Sequence, residues 1–141
     1  MIKFLSLVGQ LKRTKRSGWV LRGVNEPESV SDHMYRMAVM AMVCKDASSS
    51  LDRNRLKIFP HLIDVNMGQE LIELFEEYEA QSSPEARYVK DLDRFDMILQ
   101  AQHYEDEESN PGRLQEFFDS VEGKIQDKEI VRLADELTSN R

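Results

Sequence analysis

The fold of this chain is decided by the segment "SSPEARYVKDLDRFDMILQAQHYEDEE", residues 82–108. It opens on two serines followed by Pro84 and Glu85, an order typical of a helix start, because serine caps backbone N–H groups and proline is tolerated in the first turn. The breaker "NPG", residues 110–112, ends it. Between these limits the apolar residues recur at helical spacing, at Tyr88, Val89, Leu92, Phe95 and Leu99. The segment therefore predicts one long helix with a single apolar face.

The same spacing predicts helices along most of the chain. The first covers about residues 2–12, where Leu5, Val8 and Leu11 recur beside Phe4. A second begins at Val30 and ends near residues 45–50, and further helices are predicted over 67–81, 113–121 and 128–137. Residues 12–29 read as a basic loop containing two glycines and a proline. Strand signals are nearly absent, so the predicted fold is an all-α, single-domain helical bundle.

The composition of the 141 residues is that of one ordinary domain, with 40% hydrophobic residues and a single cysteine, Cys44. The lone cysteine excludes an intrachain disulfide, and no apolar run is long enough for a membrane span or a signal peptide. We therefore expect a cytoplasmic protein, with a nuclear share allowed. Residues 1–60 carry a formal charge of +6 and residues 61–141 one of −13. Because the acidic half would repel a polyanion, binding to a nucleic-acid polymer is disfavoured.

The first candidate for chemistry is His33, in the first turn of the second long helix. Ser29 and Asp32 form a capping-box-like pair at its start. The positive end of the helix dipole disfavours the protonated imidazole there, and a neutral imidazole is the form that binds a metal ion. Taken alone, a histidine in a first helical turn is more often a structural or surface residue, and that reading stays open.

Asp93 is the second candidate, at the edge of the apolar face of the long helix, with Asp96 nearer the centre of that face. Aspartate is a poor residue for a helix interior, so one beside a buried face needs solvent or a partner. The basic loop supplies the third candidate, Arg16 with Trp19, the only tryptophan. A guanidinium can bind phosphate oxygens bidentately and an indole suits a base or sugar. For Asp93, the alternative is a carboxylate that is simply solvated. For the basic loop, the alternative is a surface loop in which Trp19 covers the edge of the core.

The other polar residues offer less. His61 and Asp64 are not adjacent and follow a proline, and His103 lies after the last apolar turn of the long helix. Cys44 falls at a helix end without an evident activating base. Neither of the two common glycine-rich phosphate-binding motifs, GxGxxG and GxxxxGK[ST], occurs.

Three long segments resemble the HD-domain phosphohydrolases of the 5′-deoxynucleotidase type. They read "FLSLVGQLKRTKRSGWVLRGVNEPESVSDHMYRMAVMAMV", "ELFEEYEAQSSPEARYVKDLDRFDMILQAQHYE" and "NPGRLQEFFDS", and cover most of residues 2–120. The resemblance implies that His33 is the first ligand of a divalent cation of the Mn, Co or Mg type and Asp93 the last. It also implies that Arg16 and Trp19 contact the substrate. The implied reaction is hydrolysis of a deoxyribonucleoside 5′-monophosphate, for which the metal would supply the nucleophilic water.

The sequence departs from this family at one point. The family's adjacent His-Asp pair is absent, because no "HD" dipeptide occurs in the chain. The first block runs through "SSSLDRNRL", and the next, from Lys57, resembles a segment several dozen residues further on. This pattern predicts an apparent internal deletion at about 56/57, either a true deletion or a segment over which the numbering closes, and the central metal-ligand helix and the catalytic acids belong to what is missing. The catalytic residues are therefore unknown here, and we expect weak or no activity from this truncated domain, 1–141.

A second reading comes from a different class of protein. Loss of a central helix would expose the apolar faces of its neighbours, and such faces commonly mediate association. The chain would then be a non-catalytic helical interaction protein that dimerises. A homodimer is expected in either case.

Overall fold

In the computed structural model the chain is described over residues 2–44, 51–52 and 67–141. These ranges contain helices and, apart from a lone β-bridge between Lys15 and Ser29, no extended pairing, so the all-α fold class is confirmed. The helices are α1 (Ile2–Gln10), α2 (Ser17–Leu21), α3 (Val30–Val43), α4 (Met67–Ala80), α5 (Pro84–Glu107), α6 (Gln115–Val121) and α7 (Lys128–Ser139).

The predicted helices are confirmed with small shifts at their ends. The long helix predicted over residues 82–108 is α5, and its N-cap is Ser83, whose hydroxyl accepts the N–H of Ala86 at 3.0 Å. The prediction of an unbroken loop over residues 12–29 is wrong at one place, because the five residues of α2 form a helical turn within it. His61, Asp64 and the predicted junction at 56/57 lie outside the described residues.

The chain divides into two compact units, residues 1–37 and 38–141, with the boundary inside α3. In the first unit, backbone hydrogen bonds join the basic loop to the start of α3. Arg16 N–H donates to Glu28 C=O at 3.1 Å, and Val30 N–H donates to Thr14 C=O at 2.8 Å. The apolar face predicted for α1 is largely solvent-exposed, with Leu5 at 56% and Val8 at 44%.

The second unit is organised around α5, which packs against α4, α6 and α7. Three residues of the predicted apolar face, Tyr88, Leu92 and Phe95, are buried, whereas Val89 and Leu99 are half-buried. Burial of this face removes apolar surface from water and is the main source of the unit's stability. Further along α5 the core continues with Ile98, Ala101 and Tyr104, and α6 and α7 add Phe118, Val121 and Ile130.

Asp91 anchors the segment that leads into α7. Its buried carboxylate accepts the backbone N–H groups of Gln126 and Asp127, each at 2.9 Å, and pairs with Arg94 at 3.0 Å. Asp127 in turn caps α7 by accepting the N–H of Glu129 at 3.0 Å. The first aspartate of "KDLD" therefore has a structural role, two residues before the candidate Asp93.

Candidate functional site

A capping box at the start of α3 fixes the turn that carries His33. Ser29 Oγ accepts the N–H of Asp32 at 3.2 Å, and Asp32 Oδ2 accepts the N–H of Ser29 at 2.9 Å. The hydroxyl of Ser29 also donates to Asp32, and these hydrogen bonds lower the pKa of the Asp32 carboxyl below its usual value. The predicted cap is confirmed. Half-buried His33 follows directly, its N–H donating to Ser29 C=O at 3.3 Å.

One carboxylate, that of Glu28, collects the polar side chains of the first unit. Its Oε1 accepts from Arg16 Nη1 at 2.5 Å and from Trp19 Nε1 at 3.1 Å. Its Oε2 lies 3.5 Å from Arg36 Nη2. The side chain of Glu28 is only 10% exposed, so these charge-assisted contacts are partly shielded from water. The structure thus brings the predicted pair Arg16 and Trp19 together through a residue that the sequence analysis did not single out.

The indole of Trp19 is 1% exposed. The guanidinium carbon of Arg16 lies 5.5 Å from the centroid of its ring, within the range of a cation–π contact. In this conformation the indole face is not accessible to a ligand. Its burial agrees with the alternative interpretation, in which Trp19 covers the edge of the core. Arg16, with 18% of its side chain exposed, keeps contact with solvent.

Asp93 lies in the second unit, where its carboxylate contacts side chains of α4 and α5. Its Oδ2 accepts from Lys90 Nζ at 2.9 Å and from the Tyr78 hydroxyl at 3.3 Å. Burial and the nearby Asp93 charge raise the pKa of Tyr78. Burial alone would lower the pKa of Lys90, but its hydrogen bonds to Asp93 and Tyr78 more than offset this and raise it. The carboxylate is therefore matched to a protonated ammonium group.

Asp96, one turn further along α5, is fully buried, as its predicted place near the centre of the apolar face requires. The structure also locates two residues, Cys44 and His103, for which the sequence offers weaker support. Cys44 is buried just after α3, and burial raises the pKa of its thiol, the opposite of what a nucleophile needs. His103 is exposed on α5.

In the first unit, Glu28 and His33 are two candidate ligands for a divalent cation. A carboxylate oxygen of Glu28 lies within 4.8 Å of a ring nitrogen of His33, but that carboxylate already binds Arg16, Trp19 and Arg36. Zinc takes four ligands and magnesium or calcium about six or more. The site residues given by the sequence do not fill such a coordination sphere.

Sequence reasoning missed Glu28, Lys90 and Tyr78. Lys90 could have been found from its i, i+3 spacing to Asp93 on a predicted helix. The role of Glu28 has no such local signal, because its partners Arg16 and Trp19 precede it by twelve and nine residues in an irregular loop.

Comparison with known proteins finds relatives that match the segments on which the sequence resemblance rests. The sequence profile of the HD domain family matches residues 8–63 and 56–133. The chain is 46% identical to 5′-deoxynucleotidase HDDC2 of Mus musculus over 175 aligned positions, covering 100% of this chain and 88% of the relative. HDDC2 of Homo sapiens is also 46% identical, with 86% of the relative covered.

A solved structure has a similar fold. A conserved hypothetical protein from Pyrococcus furiosus superposes with a TM-score of 0.77 at 28% sequence identity, over 99% of each chain. With the profile match and the 46% identity, this is sufficient to place the protein. The chain belongs to the HD domain family and, within it, to the 5′-deoxynucleotidases.

Proposed function

We propose that this chain binds deoxyribonucleoside 5′-monophosphates and that the segment needed to hydrolyse them to deoxynucleoside and phosphate is missing. The observation that carries the proposal is the 46% identity to proteins named 5′-deoxynucleotidase over the full chain. HD domains are generally metal-dependent, and we assign to this chain a divalent cation of the Mn, Co or Mg type. His33 and Asp93 are the proposed ligands, each on a helix, and the other ligands belong to the missing segment.

Arg16 is the proposed contact to the phosphate. Its guanidinium has five N–H donors in a fixed fork, and the bond to Glu28 uses Nη1. Trp19 is the proposed contact to the nucleoside, and because its ring is buried, this contact requires the loop to open around it. No step of the hydrolysis is assigned to the metal, since the ligands present do not fill its coordination sphere.

We further propose that about 34 residues are absent near the junction of Leu56 and Lys57. Two observations support this deletion. The alignment with the mouse relative has 175 positions for 141 residues, which leaves 34 positions without a counterpart. The family profile also matches in two overlapping pieces, 8–63 and 56–133, as expected where a continuous domain has been joined across a gap. We assign the absent His-Asp pair to the segment that we propose is missing.

The test is a gain-of-function experiment. The purified chain and a variant with the missing segment of the mouse relative inserted between Leu56 and Lys57 are incubated with dAMP and Mn²⁺ or Co²⁺, and phosphate release is measured. We expect the unmodified chain to be at least about a thousandfold slower, because it lacks metal ligands and catalytic acids. An inserted segment whose His-Asp pair is changed to two alanines is the matched control. Turnover by the unmodified chain equal to that of the restored one would contradict the proposal.

Exposed apolar side chains favour a second candidate, a non-catalytic protein that dimerises. Along α1 the exposed fractions are 81% for Ile2, 56% for Leu5, 61% for Leu7 and 44% for Val8. Such a run on one short helix is typical of an interaction surface. Light scattering and metal analysis separate the two readings, since a monomer that retains one tightly bound metal ion would contradict the second. A homodimer is our expectation under both.

We place the protein in the cytoplasm, allow a nuclear share, and expect no binding to nucleic-acid polymers. The single cysteine and the charge of −13 on residues 61–141 support these two proposals. Within the described part of the chain, no helix has the length and apolar character needed to cross a membrane. Retention on a DNA column that weakened with salt would contradict the second proposal.

A further inference from the structure

We propose that Glu28 is a positioning residue that holds Arg16, beside the buried ring of Trp19, in the arrangement that recognises the phosphate of a deoxynucleoside monophosphate. This inference rests on the proposed function, and it assigns Glu28 no contact with the reacting atoms. Three facts about the first unit carry it: how the carboxylate is shared, how little of it is exposed, and how the backbone beneath it is fixed.

The Glu28 carboxylate links two side chains, those of Arg16 and Trp19, that also meet in a cation–π contact. A single oxygen, Oε1, accepts from both Arg16 Nη1 and Trp19 Nε1, so the guanidinium and the indole are placed relative to the same atom. An arginine side chain has several rotatable bonds and loses roughly 2 kcal/mol of rotamer freedom when it is fixed. Holding Arg16 before the ligand arrives removes part of that cost from binding.

Low exposure strengthens these contacts. The side chain of Glu28 is 10% exposed and that of Arg16 is 18% exposed, whereas a surface ion pair is weakened by water on all sides. Arg36 approaches the second oxygen at 3.5 Å, so the charge of Glu28 faces two guanidinium groups. A neutral side chain at this position would place those two like charges near each other with less compensation.

The backbone on both sides of the contact is fixed as well. The N–H of Arg16 donates to the C=O of Glu28 at 3.1 Å, and Lys15 pairs with Ser29 in the isolated β-bridge. Residues 15–16 and 28–29 therefore lie side by side, one residue before the helix that carries His33. The side-chain contact extends a backbone contact between the same two residues, which makes the position of Arg16 reproducible.

Trp19 provides the measurement, because it is the only tryptophan in the chain. Binding of dAMP and of inorganic phosphate is followed by Trp19 fluorescence and by calorimetry for the unmodified chain and for Glu28→Gln. Glutamine keeps the shape and one acceptor oxygen but loses the charge. We expect both ligands to bind about tenfold more weakly, the lower end of what a charge-assisted hydrogen bond contributes. Glu26→Gln is the matched control, on an exposed neighbour in the same loop, and should leave binding unchanged.

A double-mutant cycle distinguishes positioning from a general loss of structure. If Glu28 acts through Arg16, then Glu28→Gln in an Arg16→Ala background has no further effect on affinity. Additive losses in the double variant would overturn the inference, as would wild-type affinity in Glu28→Gln. Circular dichroism checks that each variant folds. If Glu28→Gln does not fold, Glu28→Asp replaces it, because the shorter acid keeps the charge but cannot reach both partners.

Accessibility of Trp19 to acrylamide keeps this inference separate from the proposed function. An unmodified chain that binds neither dAMP nor phosphate would contradict the proposed function. The role of Glu28 in holding Trp19 would then be decided by quenching alone. A larger quenching constant in Glu28→Gln than in Glu26→Gln supports it, and equal constants overturn it.

Discussion

Arg141 is predicted to stabilise the second unit through a buried carboxylate at the far end of α5. Its guanidinium binds both oxygens of Glu105, with Nη2 at 2.8 Å from each and Nε at 3.0 Å from Oε2. Only 2% of the Glu105 side chain is exposed. The guanidinium also lies 3.7 Å from the centroid of the Phe118 ring, a cation–π contact. The informative change is Arg141→Met, which keeps an apolar chain over that ring and removes the charge.

The expected loss of unfolding free energy depends on which hydrogen bonds Glu105 keeps when Arg141 is replaced. Breaking a buried ion pair by removing one partner costs about 3–5 kcal/mol when the remaining charge has no compensation. Here Glu105 keeps the backbone N–H of Leu114, at 2.6 Å, and an interaction with that of Gly112. We therefore expect Arg141→Met to lower the free energy of unfolding by about 2–3 kcal/mol at neutral pH. The control is Arg132→Met, in an exposed pair with Glu136, which should cost no more than about 0.5 kcal/mol.

The destabilisation caused by Arg141→Met should depend on pH, and the pKa of Glu105 determines the direction of that dependence. Burial alone would raise the pKa of Glu105, but the N–H groups of Gly112 and Leu114 and the charge of Arg141 outweigh it and lower that pKa below its usual 4.5. A carboxyl whose pKa is lower in the folded state stabilises the fold above its usual pKa and loses this effect as pH falls. Urea unfolding followed by circular dichroism should show the cost of Arg141→Met largest above pH 4.5 and shrinking below it. A cost that stays constant across this range, or one below about 0.5 kcal/mol at neutral pH, would refute the reasoning.

Two further predictions concern the candidate site and the helix that carries it. Ser83→Ala removes the hydroxyl that accepts the N–H of Ala86, and should lower the free energy of unfolding by about 1 kcal/mol, against little change for Ser82→Ala. Lys90→Met removes the ammonium group that would compete with a cation at the proposed ligand Asp93, and because the pair is partly exposed we expect only about a two- to fivefold gain in Mn²⁺ affinity by calorimetry. Unchanged or weaker Mn²⁺ binding would contradict the second prediction.

The helices could be predicted from sequence because their signals are local. Caps, breakers and a 3.6-residue repeat lie within the segment that they specify, so α5 was placed to within two residues at its start and one at its end. The buried Asp96 and the half-buried Asp93 likewise follow from their positions on a helical wheel. The short helix α2 was missed because a five-residue turn is too short to show a repeat.

For the candidate site, the sequence predicted only the individual residues to which the family resemblance assigns a role, and it did not predict the contacts between them. It named Arg16 and Trp19, but the carboxylate that joins them comes from the other end of the loop, and no spacing rule relates positions in irregular backbone. The exposed face of α1 was missed for a related reason. A periodic pattern shows which side of a helix is apolar, whereas burial depends on which other segments are present to cover it.

The contrast between local and long-range arrangements determines what would survive the proposed loss of a central segment. Asp93 is compensated by Lys90, three residues away on the same helix, and His33 is positioned by a capping box within its own first turn. Both arrangements are set by neighbours in sequence, so removing residues between the two helices leaves each intact. A metal centre, by contrast, requires ligands from several segments at once, and its coordination sphere fails when one of them is removed. We therefore expect the anion recognition that we propose for Arg16, whose described contacts lie within residues 1–37, to outlast the hydrolytic activity.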